Sequence, residues 1–216
     1  MSRAERFALM GALLLVLLQA AGSLSVLGES LEYRRAALYV QPWRALTGHW
    51  VHINWPHALI NAAAWVIVAR LFATELASPR QQWVVVASAS VGISVGLALA
   101  YPQIEWYRGF SGVLHALFFA GATIWLARAM AHPASRTLGA LWLPGALVLG
   151  GWLKVLLEQP AAGVTPYAGW LDAATVPQAH LLGAACGTVI GLLFARARPS
   201  AALAKARQED EQTKQK

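Results

Sequence analysis

Six apolar runs of about 20 residues fill most of this 216-residue chain. A run of that length matches the hydrocarbon thickness of a bilayer as a helix. The runs lie at roughly 7–27, 55–73, 83–101, 111–130, 137–157 and 178–195. Within lipid the backbone must satisfy its own hydrogen bonds, so each run is expected to be α-helical. Pro79, Pro102, Pro133, Pro160 and Pro177 fall between the runs, where helices should end or begin. Charged residues make up 12% of the chain, against about 25% in a soluble domain. The chain is therefore expected to be an all-α polytopic membrane protein with six transmembrane helices. One membrane domain is expected over residues 1–196. The polar segment 197–216 is expected to be a disordered cytoplasmic tail. The first run is too long for the apolar region of a signal peptide, which spans about 7–15 residues, and is read as a retained helix.

The net charge of +7 has a topological reading. With the N-terminus in the cytoplasm, twelve of the 17 Lys and Arg residues fall on the cytoplasmic side. Arg34, Arg35, Arg44 and Arg108 fall on the other side, and Lys154 lies within a span. The positive-inside rule then puts both termini in the cytoplasm. The basic excess is assigned to topology, and no nucleic-acid partner is expected. Cys186, the single cysteine, sits within the sixth run and is read as a buried, inert thiol. Trp43, Trp50, Trp55, Trp83, Trp106 and Trp170 lie near the ends of the runs, as in an aromatic belt.

Polar side chains at the mouths of three runs need an explanation, because polar groups in a membrane are costly. Ser111 opens the fourth run, His180 the sixth, and His57 and Asn61 the second. With this topology the second, fourth and sixth spans run in the same direction, so all four residues share the outer level. In the sixth run His180, Gly183, Gly187 and Gly191 occupy one helix face. Gly112, Ala116 and Ala120 form a similar row in the fourth, beside Ser111. Small faces of this kind let helices approach closely, and their contact would bring Ser111 within reach of His180. The row Ser88, Gly92, Gly96 and Ala100 in the third run is assigned to packing.

A serine hydroxyl is a weak nucleophile until a base removes its proton, and histidine is the usual base. Ser111 at a helix start also has unpaired backbone N–H groups nearby, which can stabilise an oxyanion. Pro56 suits the first turn of the second helix. His57 and Asn61 are then i, i+4 neighbours, and both can donate hydrogen bonds to the same anion.

These residues resemble the rhomboid family of intramembrane serine proteases. The resemblance rests on His52-x4-His57-x3-Asn61, Gly109-x-Ser111-Gly112, Ala179-His180-x2-Gly183-x3-Gly187, and the pair Trp43-Arg44. In detail it resembles the rhombosortase branch. The residues that carry this are Trp43 to His49, Asn54-Trp55-x-His57, Arg108 to His115, and Lys154-x3-Glu158-Gln159. The resemblance implies a six-helix rhomboid fold in a bacterial inner membrane, with the active site facing the periplasm. It implies Ser111 as nucleophile, His180 as general base, and His57, Asn61 and the Ser111 N–H as the oxyanion site. The implied substrates are membrane-anchored secreted proteins with a C-terminal Gly-Gly motif, a hydrophobic helix and a basic end. The enzyme would remove that anchor without a cofactor. The alternative is an inactive rhomboid-like protein that binds transmembrane segments.

Three points stay open at this level. Many rhomboids carry tyrosine four residues after the nucleophile; here it is His115, which either packs against His180 or competes with it as base. His52 is read as support for the outer loop. Lys154 and Glu158 are either a self-neutralising pair or contacts to substrate. Their order, Lys before Glu, is the less favourable one on a helix and argues for tertiary partners. No third carboxylate is evident to orient His180, so helix packing is expected to do so. No metal site is expected, since His49, His52 and His57 have no acidic residue nearby.

Overall fold

The computed structural model describes residues 1–23, 26–131, 137–160 and 175–197. Six long helices coincide with the six apolar runs, with every boundary within four residues of expectation: α1 (Arg3–Ser23), α4 (Trp55–Leu71), α5 (Pro79–Ala100), α6 (Ser111–Ala131), α7 (Leu138–Leu157) and α8 (Pro177–Ala197). Two short helices, α2 (Leu27–Leu31) and α3 (Arg44–Thr47), lie between α1 and α4. Five of the long helices are long and apolar enough to cross a membrane. The sixth, α4, has 17 residues and is about 25 Å long, slightly shorter than the about 30 Å of a hydrocarbon core. The chain is a multi-pass, all-α membrane protein. His132, Pro133, Trp170 and the tail beyond residue 197 lie outside the described residues.

Local chemistry sets the helix starts. Asn54 caps α4 by accepting from the His57 N–H at 3.0 Å, with Pro56 in the first turn. Ser78 and Gln81 form a reciprocal capping box ahead of α5. The helix α6 runs through the centre: 61% of its apolar window is buried, against 11% for α7. Exposed Leu9, Leu13 and Leu17 on α1, and Leu149, Leu153 and Leu156 on α7, face outward. An apolar exterior is what a chain solvated by lipid requires.

The segment before α4 is tied to the start of α6. A two-residue antiparallel pair joins β1 (Tyr33–Arg34) to β2 (Trp106–Tyr107), with Tyr33 opposite Tyr107. This pair is too short for alternating hydrophobicity to announce it. Arg44, buried, donates to the carbonyls of Glu29 and Glu32 at 2.8 Å each. The Glu32 carboxylate is buried and accepts from Arg108 Nε at 2.6 Å. Arg108 is three residues before Ser111, so this pair fixes the approach to α6. His49 is buried and donates from Nε2 to Ser90 O at 3.0 Å, which holds the loop on α5. Burial pushes its imidazole down to about 4, so it is neutral.

Candidate active site

The small faces of α6 and α8 meet backbone to backbone. A Cβ added to Gly183 would lie 2.0 Å from Gly112 O, and one added to Gly187 would lie 2.2 Å from Ala116 O. Only glycine permits this approach. The third small row serves the other side of α8: a Cβ on Gly92 would meet Cys186 Sγ at 2.7 Å, and one on Gly96 would meet Leu182 at 2.6 Å.

This contact sets the first residue of α6 against the fourth residue of α8. His180 Nε2 lies 3.0 Å from Ser111 Oγ. Gly109, just upstream, has φ of +135°, a conformation that side chains rarely adopt. A Cβ there would also meet the His57 ring at 2.6 Å. Tyr107 Oη secures the turn by donating to Gly109 O at 2.6 Å. Burial pushes this phenol up to about 12, so it remains a donor.

The other candidates gather around this pair. His57 packs over Gly109, edge-on to His52 with ring centroids 5.0 Å apart. His52 is buried, and burial together with the neighbouring His57 pushes it down to about 3. It therefore supports His57 as a neutral ring. Asn61 lines a cavity of ≈ 450 Å³ together with Ser111 and His180. The cavity runs between α4 and α7, and its walls are otherwise mainly apolar, including Ile60, Val68, Leu114 and Phe118. Asn61 Nδ2 and His57 Nδ1 are buried without a hydrogen-bond partner among the described residues. An unpaired buried polar atom is costly, and Asn61 Nδ2, a donor on a residue that lines the cavity with Ser111, suits an anion there.

His115 stacks on His180, with centroids 4.2 Å apart and planes 16° from parallel. Its Nδ1 faces Ser111 O at 2.8 Å, and its Nε2 faces Lys154 Nζ at 2.8 Å. A carbonyl only accepts and an ammonium only donates, so Nδ1 carries the proton and Nε2 the lone pair. Neither nitrogen is turned to Ser111 Oγ. Of the two roles open for His115, the geometry fits packing.

Glu158 was not identified from the sequence as an orienting group, yet its Oε2 lies 3.1 Å from His180 Nδ1. A carboxylate therefore stands where helix packing alone was expected to orient the ring. Lys154 Nζ lies 3.0 Å from Glu158 Oε1. Burial would raise the Glu158 carboxyl, but hydrogen bonds from His180 and Lys154 outweigh it and hold the group at about 2. The only sequence signal was the unfavourable Lys-before-Glu order. Ligand atoms of His115, Glu158 and His180 lie within 4.8 Å of one another, an arrangement able to hold a cation. The Lys154 ammonium bonds two of these three residues.

No curated protein is similar enough to the chain to count as a match. The family model for the rhomboid domain matches residues 39–197, from the loop before α3 to the end of α8. That match covers five of the six long helices and every residue of the candidate site. The chain belongs to the rhomboid family, a family of serine proteases that work within the membrane.

Proposed function

We propose that this protein is a serine endopeptidase with Ser111 as nucleophile and His180 as general base. The observation that carries the reading is the 3.0 Å contact between His180 Nε2 and Ser111 Oγ at the start of a buried helix. Ser111 Oγ attacks the scissile carbonyl carbon while His180 Nε2 takes its proton. The oxyanion is met by Asn61, His57 and the Ser111 N–H, which belongs to the four N–H groups that an α-helix leaves without an internal partner. His180 then protonates the leaving amine as the C–N bond breaks. Water, deprotonated by the same imidazole, hydrolyses the acyl-enzyme. The mechanism uses no cofactor.

The substrates in this reading are secreted proteins held in the membrane by a C-terminal helix that follows a Gly-Gly motif. The apolar cavity between α4 and α7 suits a hydrophobic segment, and small glycines suit the close quarters at Ser111. The site faces the periplasm of a bacterial inner membrane, with both termini cytoplasmic. A tag inserted at residue 165 should be reachable from outside spheroplasts; protection there refutes this orientation.

The test is cleavage of a Gly-Gly-tailed substrate by the purified protein in proteoliposomes. Cleavage that survives EDTA and disappears in Ser111→Ala is expected. Cleavage retained by Ser111→Ala refutes the nucleophile. Binding of the substrate helix without Ser111-dependent cleavage favours the inactive, segment-binding alternative.

A further inference from the structure

We infer that Glu158 is the third member of a Ser111–His180–Glu158 triad, and that Lys154, braced by His115, positions its carboxylate. The inference rests on the serine-protease reading above and deepens it.

A carboxylate has no proton to give, so at 3.1 Å from His180 Nδ1 it must accept from that nitrogen. The proton then resides on Nδ1 and the lone pair on Nε2, which is the nitrogen 3.0 Å from Ser111 Oγ. This is the tautomer a base for Ser111 requires. When Nε2 accepts the serine proton, the ring becomes a cation, and the nearest anion is Glu158. The Nδ1 proton stays on Nδ1 throughout.

Glu158 is 6% exposed, and a buried carboxylate needs a partner. Lys154 supplies one, at 3.0 Å from Oε1 and 3.1 Å from Oε2. The same ammonium donates to His115 Nε2 at 2.8 Å, and His115 Nδ1 donates to Ser111 O at 2.8 Å. The contacts thus close a ring from Ser111 through His115, Lys154, Glu158 and His180 back to Ser111, across α6, α7 and α8. A simple i, i+4 ion pair on α7 would need neither His180 nor His115. The charged and titratable groups facing His180 are His115 from α6, Lys154 and Glu158 from α7, and His57 from α4.

The test compares wild type with Glu158→Gln, Glu158→Asp and Lys154→Met in proteoliposomes. It reads kcat, KM, the pH–rate profile and Tm. A triad carboxylate is worth up to about 10⁴-fold in kcat. The expected result for Glu158→Gln is a loss of about 10²-fold or more in kcat with KM little changed. Its acidic limb should move to lower pH, because the imidazolium has lost its anion. Glu158→Asp restores part of the rate, and Lys154→Met loses less than Glu158→Gln. Where Glu158→Gln does not fold, the Glu158→Asp and Lys154→Met profiles carry the same comparison. Ser111-dependent cleavage with a Glu158→Gln rate and pH profile like wild type removes the triad and leaves the protease. Equal losses in the Gln and Asp variants that track a fall in Tm, with an unmoved pH profile, also remove it. Absence of Ser111-dependent cleavage by wild type removes both readings.

Discussion

The substitution Gly183→Ala tests whether backbone contact between α6 and α8 sets the Ser111–His180 geometry. The new Cβ would lie 2.0 Å from Gly112 O. Real Cβ atoms essentially never approach another heavy atom within 3.0 Å, so the helices must separate by at least about 1 Å. The obstructing atom is backbone and cannot rotate away. Gly112 adjoins Ser111, and Gly183 follows His180 by one helical turn. The strain therefore falls on the contact between Ser111 and His180. An opening of about 1 Å takes the 3.0 Å contact beyond hydrogen-bond range. A misplacement of that size costs about 10²-fold in rate, and overpacking costs about 1–3 kcal/mol of stability. Gly150→Ala is the control, since its Cβ would meet nothing within 4 Å. The assay is cleavage of the Gly-Gly-tailed substrate in proteoliposomes, with circular dichroism to verify that helix content is kept. A Gly183→Ala enzyme that cleaves like the Gly150→Ala control would refute the reasoning.

Three further outcomes are expected. Asn61→Ala and His57→Ala should each lower kcat by about 10²–10³-fold if they remove an oxyanion donor, with KM little changed; a rise in KM alone would assign them to substrate binding. His115→Phe keeps a ring to stack on His180 but releases Lys154, so it should lose no more activity than Lys154→Met, whereas His180→Phe should abolish activity; the reverse pattern would make His115 the base. Stability should fall with acid. His49 and His52 are held to about 4 and about 3 in the fold, against 6.5 when free. Their contribution is thus complete above pH 6.5 and is lost as the unfolded chain takes up protons, from pH 6.5 down to about 4 for His49 and about 3 for His52. A Tm constant over that window would contradict their burial as neutral rings.

The parts of this architecture that repeat along the chain were legible in its sequence. Apolar runs bounded by prolines gave helix limits within four residues, because a bilayer imposes length and polarity together. The spacing of Gly183, Gly187 and Gly191 named the face of α8 that meets α6, because helical periodicity fixes direction. The contact of Ser111 with His180 follows from that face. Contacts between irregular segments left no such trace. Glu32 meets Arg108 across 76 positions and Arg44 pegs the loop carbonyls, yet neither belongs to a periodic pattern. Glu158 sits 22 positions from His180, on a helix whose face toward α8 the apolar pattern does not single out. The helix α7 is apolar nearly all round, so periodicity could not show where Glu158 points.

The central claim is that Ser111 is a nucleophile activated by His180, and it can be tested without any knowledge of the substrate. The measurement is peptide mass spectrometry after treatment of the folded protein with a fluorophosphonate, which reacts with activated serines. The expected result is a phosphonyl adduct on Ser111, lost in His180→Asn while the helical content is unchanged. An unmodified Ser111 in the wild-type protein, or an adduct that forms equally well without His180, would contradict it.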